Sequence, residues 1–405
     1  MNIKKWISVT IFSLLLVAIL GVLLRYKIAF SLPIVNQKYL QHSHSHFAMN
    51  GWLTQILMIL LSYSVSKVIG ANHFKKYNFI LFANLLVSYG MVVSFLFQGY
   101  GGISILFSTL SILVFYFFGI QLWRDMNKSL LKLSGFIWFK AAIVFGILSS
   151  FGVGMLAYLM VTKNISINMQ QATTYFYLHF QYNGWLIFAC LGLLINLLTD
   201  RNIIIRNIKK FYWLYTGACV PAYFLSTLWL PMPTWLYVVV VISAITLLLG
   251  WIWFILQLLK QLPSFFHEIP DIAKWLLALS SLAFTIKVAL QAGSTIPSIN
   301  NMAFGYRPIV IGYLHLVFLG VITLFILGYM FYTGYLKSTK TLQIGIVFFI
   351  TGIIMNELAL MTQGITAMRY YNVPFISEVL LGVTSLMLLG VIIMNAGISK
   401  KSNHN

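Results

Sequence analysis

Long apolar runs separated by short polar segments follow one another along the whole chain. Because about twenty apolar residues in a helix cross the hydrocarbon core of a bilayer, these runs predict twelve membrane-spanning helices. The helices are expected near 6–26, 46–68, 78–98, 102–123, 135–160, 175–199, 211–228, 235–258, 271–292, 308–334, 341–363 and 375–397. The pattern predicts an all-α, polytopic membrane protein, in which Pro221 interrupts the seventh and shortest run.

Composition identifies a lipid bilayer as the solvent for most of this surface. The chain is 60% hydrophobic and 8% charged, with a mean hydropathy of +0.91, which is outside the range of water-soluble domains. Its net charge of +20 comes from Lys and Arg in short clusters between the apolar runs, a pattern that orients helices and does not indicate nucleic-acid binding. Cys190 and Cys219 lie inside apolar runs and in no CxxCH pattern, so neither a disulfide framework nor covalent haem attachment is indicated.

The basic clusters alternate between the two ends of the predicted helices. Every second junction is rich in Lys and Arg, as at Lys75 and Lys76, and both termini share this excess. The positive-inside rule then places both termini in the cytoplasm, which requires an even number of helices. The first apolar run follows Lys4 and Lys5 and lacks a small-residue cleavage site, so it is expected to remain as a helix. The expected location is a bacterial inner (cytoplasmic) membrane.

One sequence segment recurs three times. His46-Phe-Ala-Met-Asn-Gly-Trp-Leu returns as His179-Phe-Gln-Tyr-Asn-Gly-Trp-Leu and, more weakly, as His315-Leu-Val-Phe-Leu-Gly. The histidines are 133 and 136 residues apart (46 to 179 and 179 to 315). This spacing predicts one integral membrane domain over residues 1–405, built from three four-helix units of approximately 1–134, 135–270 and 271–405. Each histidine is expected to open the second helix of its unit, in the outer half of the membrane.

A single histidine at a helix end is often only a hydrogen-bonded interfacial side chain. Three at matched positions, with His42 and His44 just before the first, favour a shared metal or cofactor, because ionisable groups in a membrane are costly. Asn50 and Asn183 follow the first two repeat histidines by four residues, where each is able to fix a ring or bind buried water. The glycines five residues after each histidine are consistent with close helix packing or with room for a flat macrocycle; they are Gly51, Gly184 and Gly320.

The few acidic residues narrow the kind of site. Imidazole suits iron, copper and zinc, whereas a di-metal site rich in carboxylates needs more acids than the six present. Glu357 is the one candidate for a proton carrier or a partner of a metal ligand, and an ion pair with Lys287 or Arg369 is an equal alternative. Lys287 and Lys140 lie within apolar runs, where they either line a proton or ion path or mark helix ends.

Twelve helices in three four-helix arcs, with histidines on helices two, six and ten, resemble subunit I of the haem-copper oxidases and nitric oxide reductases. In that family an HFHYVL-type segment of helix ten binds a low-spin haem, and this chain has Tyr313-Leu-His315-Leu-Val-Phe. The resemblance implies a b-type haem held by His315 and by His46, or by His44 if the register shifts by two. A family loop whose arginines bind haem propionates resembles Ala367-Met-Arg369-Tyr-Tyr-Asn-Val-Pro here, which implies Arg369 as the propionate partner.

The departures from the family pattern concern the oxygen-reducing centre. The seventh helix has no histidine, and Tyr313 stands where the family has the proximal ligand of the second haem. His179 matches a copper ligand, but one imidazole does not complete the three-histidine copper site, unless His42 and His44 join it in a rearranged one. The resemblance therefore implies a diverged branch, near the NnrS-type haem and copper membrane proteins.

The function expected from this resemblance is respiratory electron transfer or chemistry on oxygen or nitric oxide. If the protein is an enzyme, it is expected to be an oxidoreductase, with a partner redox subunit or a cytochrome or quinol as donor. A multi-pass transporter or channel with repeat symmetry and no cofactor is the alternative, with the 293–301 connection as its gate or substrate site. An accessory subunit that has kept the fold without its cofactors is a third.

Overall fold

The computed structural model describes residues 1–70, 72–129, 131, 133–162, 166–300 and 306–399. Within these ranges the chain is all-α and contains no β-strand. Its helices in chain order are α1 (Ile3–Ala29), α2 (Gln37–Ile69), α3 (His73–Gln98), α4 (Gly102–Lys128), α5 (Phe136–Val161), α6 (Ile167–Asp200), α7 (Ile208–Cys219), α8 (Thr234–Leu259), α9 (Asp271–Gly293), α10 (Arg307–Tyr332), α11 (Lys340–Met368) and α12 (Ile376–Ser399).

Eleven helices of the described residues are long and apolar enough to cross a bilayer, which confirms the polytopic membrane fold. The seventh predicted helix is the exception. Its α-helical part is α7, of 12 residues, and a 3-10 segment follows at Pro221–Thr227. Pro221 has no backbone N–H to continue the α-helical bonds, so the helix ends just before it.

Two helices begin much earlier than the apolar runs indicate. The Asn36 side chain accepts hydrogen bonds from Lys38 N and Tyr39 N, at 2.9 and 3.2 Å, and starts α2. The Ser166 hydroxyl accepts from Met169 N and starts α6. Such caps satisfy N–H groups that the first turn leaves without partners. With 33 and 34 residues, α2 and α6 are each about 50 Å long, so their polar first turns extend beyond the apolar span.

The repeat histidines therefore do not open their helices. His46 is the tenth residue of α2, His179 the thirteenth of α6 and His315 the ninth of α10. The residues from His46 to the end of α2 still cover about 35 Å, which is enough to cross the hydrocarbon core. Each histidine thus lies near the junction between a helix's first turns and its long apolar part.

The chain divides into two compact units, Met1–Leu131 with Met330–Asn405, and Lys132–Tyr329. The first boundary falls close to the repeat boundary predicted near 134, whereas residues 271–405 are divided between the units. In the first unit α11 and α12 form an extensive contact, and α12 also packs on α1. In the second unit α6 packs on α5, α8 on α7 and α9, and α9 on α10.

Glycine permits a close contact between α11 and α12 in the first unit. A Cβ on Gly345 of α11 would lie 2.8 Å from the Gly390 carbonyl oxygen, and a Cβ on Gly390 would lie 2.6 Å from Phe349 N. Both distances are too short for any larger residue, so these glycines let the two backbones touch. Inside a bilayer the hydrophobic effect does not drive helices together, so van der Waals packing at this distance stabilises the helix pair instead.

The two helices that carry the full repeat motif are the most buried. In α6, 94% of the most apolar stretch is buried, and in α2 72%, compared with 22% in α4. A helix that is apolar on all sides and buried on all sides contacts protein and not lipid. The repeat segments therefore lie in protein interior, where a polar side chain must find its partner among other side chains or the backbone.

Candidate functional site

Each repeat histidine is followed directly by a π-helical segment. These segments are Phe47–Thr54 in α2, Phe180–Leu186 in α6 and Leu316–Thr323 in α10. π-helical turns are rare and are often found at functional sites. The threefold recurrence relates the weak third copy to the other two by backbone geometry as well as by sequence.

In the first copy, His46 lies against two aromatic side chains. Its ring stacks on Phe95 of α3, with centroids 4.4 Å apart and planes inclined by 10°. Its Nε2 lies 3.0 Å from the hydroxyl oxygen of Tyr100, in the turn between α3 and α4. His42, one turn earlier on α2, meets the Tyr100 ring edge-on at 4.6 Å. His42, His46, Phe95 and Tyr100 form one cluster, which we call the first-copy cluster.

His44 lies on a different face of α2. A Cβ on Gly21 of α1 would be 3.3 Å from His44 Cε1, so this ring packs on α1. Two residues along a helix correspond to about 200° of rotation, which is why His44 does not share the surroundings of His42 and His46. Asn50 also turns away from the first-copy cluster, since its amide donates to the Ser88 hydroxyl oxygen on α3 at 2.9 Å.

In the second copy, both ring nitrogens of His179 are engaged. Nε2 is 2.8 Å from the Cys219 carbonyl oxygen, and Nδ1 is 3.1 Å from the Asn183 amide nitrogen. A carbonyl oxygen only accepts, so Nε2 carries the proton and Nδ1 accepts from Asn183. The side chain of His179 is 1% exposed. A metal ion at this ring would have to displace one of these two bonds.

The partner of His179 explains why the bond forms. In a continuous α-helix the Cys219 carbonyl would accept from Tyr223 N, but Tyr223 N donates to the Val220 carbonyl instead. The break of α7 at Pro221 therefore leaves a buried carbonyl without its helical donor, and His179 supplies one. A buried carbonyl without a donor costs about 1–3 kcal/mol, so this imidazole has a structural role.

In the third copy, His315 is held by its own helix. Its Nδ1 lies 2.8 Å from the Ile311 carbonyl oxygen, one turn earlier in α10. The carbonyl again only accepts, which places the ring proton on Nδ1 and the lone pair of the neutral ring on Nε2. Histidines that bind metals usually show this arrangement, with the other nitrogen donating to a carbonyl or carboxylate. His315 is half-buried.

Tyr313 connects the second and third copies. Its ring meets Tyr182 of α6 edge-on, with centroids 6.2 Å apart, and Tyr182 also contacts Phe318 in the third π-helical segment at 6.0 Å. The Tyr313 hydroxyl oxygen is buried. The ring is thus part of an aromatic contact between α6 and α10.

The space where each repeat glycine would carry a side chain is filled by a neighbouring side chain. A Cβ on Gly184 would overlap Phe145 of α5, and one on Gly320 would lie 3.2 Å from Ala283 Cβ of α9. A Cβ on Gly51 would overlap the ring of Phe47, one turn earlier. Of the two alternatives that the sequence leaves open, the structure shows close helix packing at Gly184 and Gly320, whereas at Gly51 the neighbour belongs to the same helix.

The remaining candidates lie outside the three helices that carry the repeat. Glu357 of α11 is half-buried and accepts from the neighbouring Asn356 amide at 3.3 Å. Within the described residues it forms no ion pair, and Arg369, which follows α11, is exposed. Lys287 of α9 is 2% exposed, so it lies inside the protein and not at a helix end. Lys140 of α5 is half-buried.

A polar cluster in the first unit has no signal in the sequence. Asp125 near the end of α4 is 1% exposed. Its Oδ2 accepts from the Tyr77 hydroxyl at 2.6 Å, from His73 Nε2 at 2.7 Å and from the Gln121 amide at 3.0 Å. Contacts to His73 and Tyr77, about fifty positions away, leave no local pattern around Asp125 in the sequence.

No group of three His, Cys, Asp or Glu side chains in the described part of the chain is arranged to hold a metal ion. His179 therefore belongs to no three-ligand group of these residue types in the described residues, and its surroundings do not fit the three-ligand copper site. A haem iron needs only one or two protein ligands, so the geometry of His315 is the relevant test for it. That geometry fits an axial imidazole.

Comparison with known protein families and with curated proteins finds no match to this chain.

Proposed function

We propose that this integral membrane protein binds a b-type haem with His315 as an axial ligand and serves in membrane redox chemistry. The observation that carries the proposal is the 2.8 Å bond from His315 Nδ1 to the Ile311 carbonyl oxygen. It fixes the tautomer whose lone pair is on Nε2, the nitrogen that coordinates iron. A bound haem would supply one-electron redox chemistry to the site.

The protein's own part is to orient and insulate the ring. The bond to the Ile311 carbonyl fixes the rotation of the imidazole about its Cβ–Cγ bond in one orientation. It also raises the basicity of Nε2. Val317 and Ile322, both buried in the segment that follows, keep water from the α10 backbone. Burial of this kind also sets the potential of a haem, because a low-dielectric surrounding favours the less charged redox state.

The assignments of His46, its alternative His44 and Arg369 to the same haem rest on the family resemblance. So do the redox partner, which would be a second subunit or a cytochrome or quinol donor, and the placement in a bacterial inner membrane. The cytoplasmic location of both termini rests on the distribution of Lys and Arg, and it requires that α7 together with the Pro221–Thr227 segment crosses the membrane as a twelfth span beside the eleven long helices. If a second imidazole completes the ligation, no coordination position stays open, and electron transfer is favoured over turnover of oxygen or nitric oxide.

The test is the visible spectrum of the protein purified from haem-replete cells, oxidised and then reduced with dithionite. We expect Soret and α bands, and a haem content close to one equivalent or more per chain. His315→Ala should lose the low-spin bands, and added imidazole should restore them by replacing the missing ligand. A protein without Soret absorption would contradict the proposal and favour the transporter or channel alternative.

The matched control is His267→Ala. His267 lies in the same unit, and its side chain is 70% exposed beside Glu268, so it is remote from α10's interior contacts. Its replacement should leave the spectrum unchanged. Thermal unfolding of each variant shows whether the fold is intact, so that loss of haem is not confused with loss of structure. If His315→Ala kept the low-spin spectrum, His315 would not be the ligand.

A further inference from the structure

A cleft of about 560 Å³ lies in the second unit, between the loop that joins α6 to α7 and the end of α8. Two hydrogen bonds hold its walls together. Arg206 N donates to Gln257 Oε1 at 2.9 Å, and Gln261 Nε2 donates to the Ile204 carbonyl oxygen at 3.0 Å. Sites for small ligands usually measure about 300–1,000 Å³ and are formed before the ligand binds. This cleft has such a volume and fixed walls.

The cleft carries positive charge that no neighbouring acid balances. Arg206 and Lys260 line it, and both are exposed. Arg and Lys side chains in contact with water carry their charge. No Asp or Glu occurs between residues 201 and 267, and neither cation belongs to an ion pair of the described residues. The cleft is therefore suited to an anion.

Gln257 adds a hydrogen-bond donor that the protein does not use. Its Oε1 accepts from Arg206 N, and because a backbone N–H only donates, this bond fixes which end of the amide is the nitrogen. Nε2 is buried and has no hydrogen-bond partner in the described residues. A buried polar group without a partner usually indicates a water or an ion at that place. Since Nε2 is a donor, it favours a ligand with negatively charged oxygens.

The rest of the cleft is apolar. Trp253 of α8 lines it about 10 Å before Lys260 along the helix axis. Leu256 and Ile204, which also line it, are 54% and 76% exposed. Exposed apolar side chains of a spanning helix contact lipid tails, and Trp is enriched where tails meet headgroups. The cleft thus combines a cationic end with an apolar wall, as a phospholipid combines an anionic headgroup with acyl chains.

We propose that this cleft binds the headgroup of one anionic phospholipid, such as phosphatidylglycerol. The Arg206 guanidinium bonds phosphate oxygens in pairs, Lys260 adds a point charge, and Gln257 Nε2 adds a neutral donor. The apolar wall contacts the first part of an acyl chain, which a free phosphate ion lacks. Basic pockets on the cytoplasmic side of membrane proteins recognise anionic headgroups in this way. The distribution of Lys and Arg predicts that the cleft is on that side.

The experiment is native mass spectrometry of the full-length protein in an uncharged detergent, titrated with phosphatidylglycerol or with zwitterionic phosphatidylcholine. Wild type should bind one phosphatidylglycerol at least about ten times more tightly than phosphatidylcholine. Arg206→Gln and Lys260→Gln should each weaken that site about five-fold, the factor expected for one basic residue beside an anionic headgroup. Gln257→Glu keeps the acceptor for Arg206 N and replaces the unused donor by a negative charge, so it should remove the preference.

Lys210→Gln is the matched control. Lys210 is exposed in the first turn of α7, four residues from Arg206, and does not line the cleft. This variant should bind phosphatidylglycerol as wild type does. An equal loss of affinity in Lys210→Gln and Arg206→Gln would overturn the proposal, because it would indicate a diffuse basic surface.

Equal affinities of wild type for the two lipids would also overturn the proposal. If inorganic phosphate alone displaced phosphatidylglycerol, the site would bind a free phosphate ion and not a lipid. Thermal unfolding shows whether each variant is folded, and where one is not, the lipid preference of wild type decides. The haem proposal is read from a spectrum and stands or falls separately.

Discussion

His179 on α6 and His315 on α10 occupy the same place in the repeat, immediately before a π-helical segment, but their rings face different partners. His179 is enclosed and uses both nitrogens, one for a carbonyl of α7 and one for Asn183. His315 is half-buried, and its Nδ1 bonds within its own helix. The difference teaches that position in a repeat does not fix chemical role, because the role follows from which nitrogen is already engaged.

The largest expected effect is on stability at His179. His179→Ala removes the donor to a buried carbonyl and leaves a cavity, so we expect the free energy of unfolding to fall by about 4 kcal/mol. His315→Ala removes the bond to the Ile311 carbonyl at a half-buried position and should cost about 1 kcal/mol. Thermal unfolding of both variants in the same nanodiscs measures the difference. Equal losses of unfolding free energy in the two variants would contradict the different roles of His179 and His315.

The next effect concerns the glycines of the same two copies. Gly184→Ala places a methyl group into Phe145, and overpacking of this kind costs about 2–3 kcal/mol. Gly320→Ala meets Ala283 Cβ at 3.2 Å and should cost less than about 1 kcal/mol. Gly217→Ala, where the new methyl group meets nothing within 4 Å, is the control. If Gly320→Ala lowered the free energy of unfolding more than Gly184→Ala did, α10 would be the more tightly packed helix.

A smaller effect separates the second copy from the first. Asn183→Ala leaves His179 Nδ1 without its donor and should cost about 1.5 kcal/mol. In a double-mutant cycle with His179→Ala the two changes should couple by about 1 kcal/mol, because the side chains are bonded. Asn50 bonds Ser88 instead, so Asn50→Ala and His46→Ala should be additive. Coupling in the first copy and none in the second would contradict the geometry.

The smallest effect is expected at the third π-helical segment. The Ser280 hydroxyl of α9 donates to the Val321 carbonyl oxygen at 2.7 Å and satisfies a backbone acceptor of that segment. Ser280→Ala should cost about 1 kcal/mol. Ser281→Ala, on the next position of the same helix, should be near neutral. If Ser280→Ala also shifts the absorption spectrum proposed to arise from a haem on His315, the segment and the His315 side chain are mechanically connected.

The apolar runs predicted twelve spanning helices, and eleven of these are confirmed together with the all-α class, because the length of a helix inside a bilayer is set by the hydrocarbon thickness. The starts of α2 and α6 were not predictable in the same way. Asn36 and Ser166 start these helices in polar sequence, where an apolar window gives no signal. A search for Asn or Ser before each run would have indicated both starts.

The histidines of the site were visible in the sequence, whereas their partners were not. Phe95 and Tyr100 reach His46 from about fifty positions away, and Cys219 reaches His179 from forty. Such pairs are fixed by helix packing, which no local spacing encodes. The π-helical segments also leave no compositional trace, because the residues that form them suit an α-helix equally well.

The π-helical segments bear on the helix register. A π turn holds one residue more than an α turn, so each segment shifts the rotational phase of everything after it by about 100° relative to an uninterrupted α-helix. Removing one residue from Phe180–Leu186 would turn the whole second half of α6 by that angle. Because 94% of the apolar stretch of α6 is buried, such a rotation would bring every side chain of that half against the wrong neighbours. The chain length between His179 and the end of α6 is therefore as constrained as the identity of any residue within it.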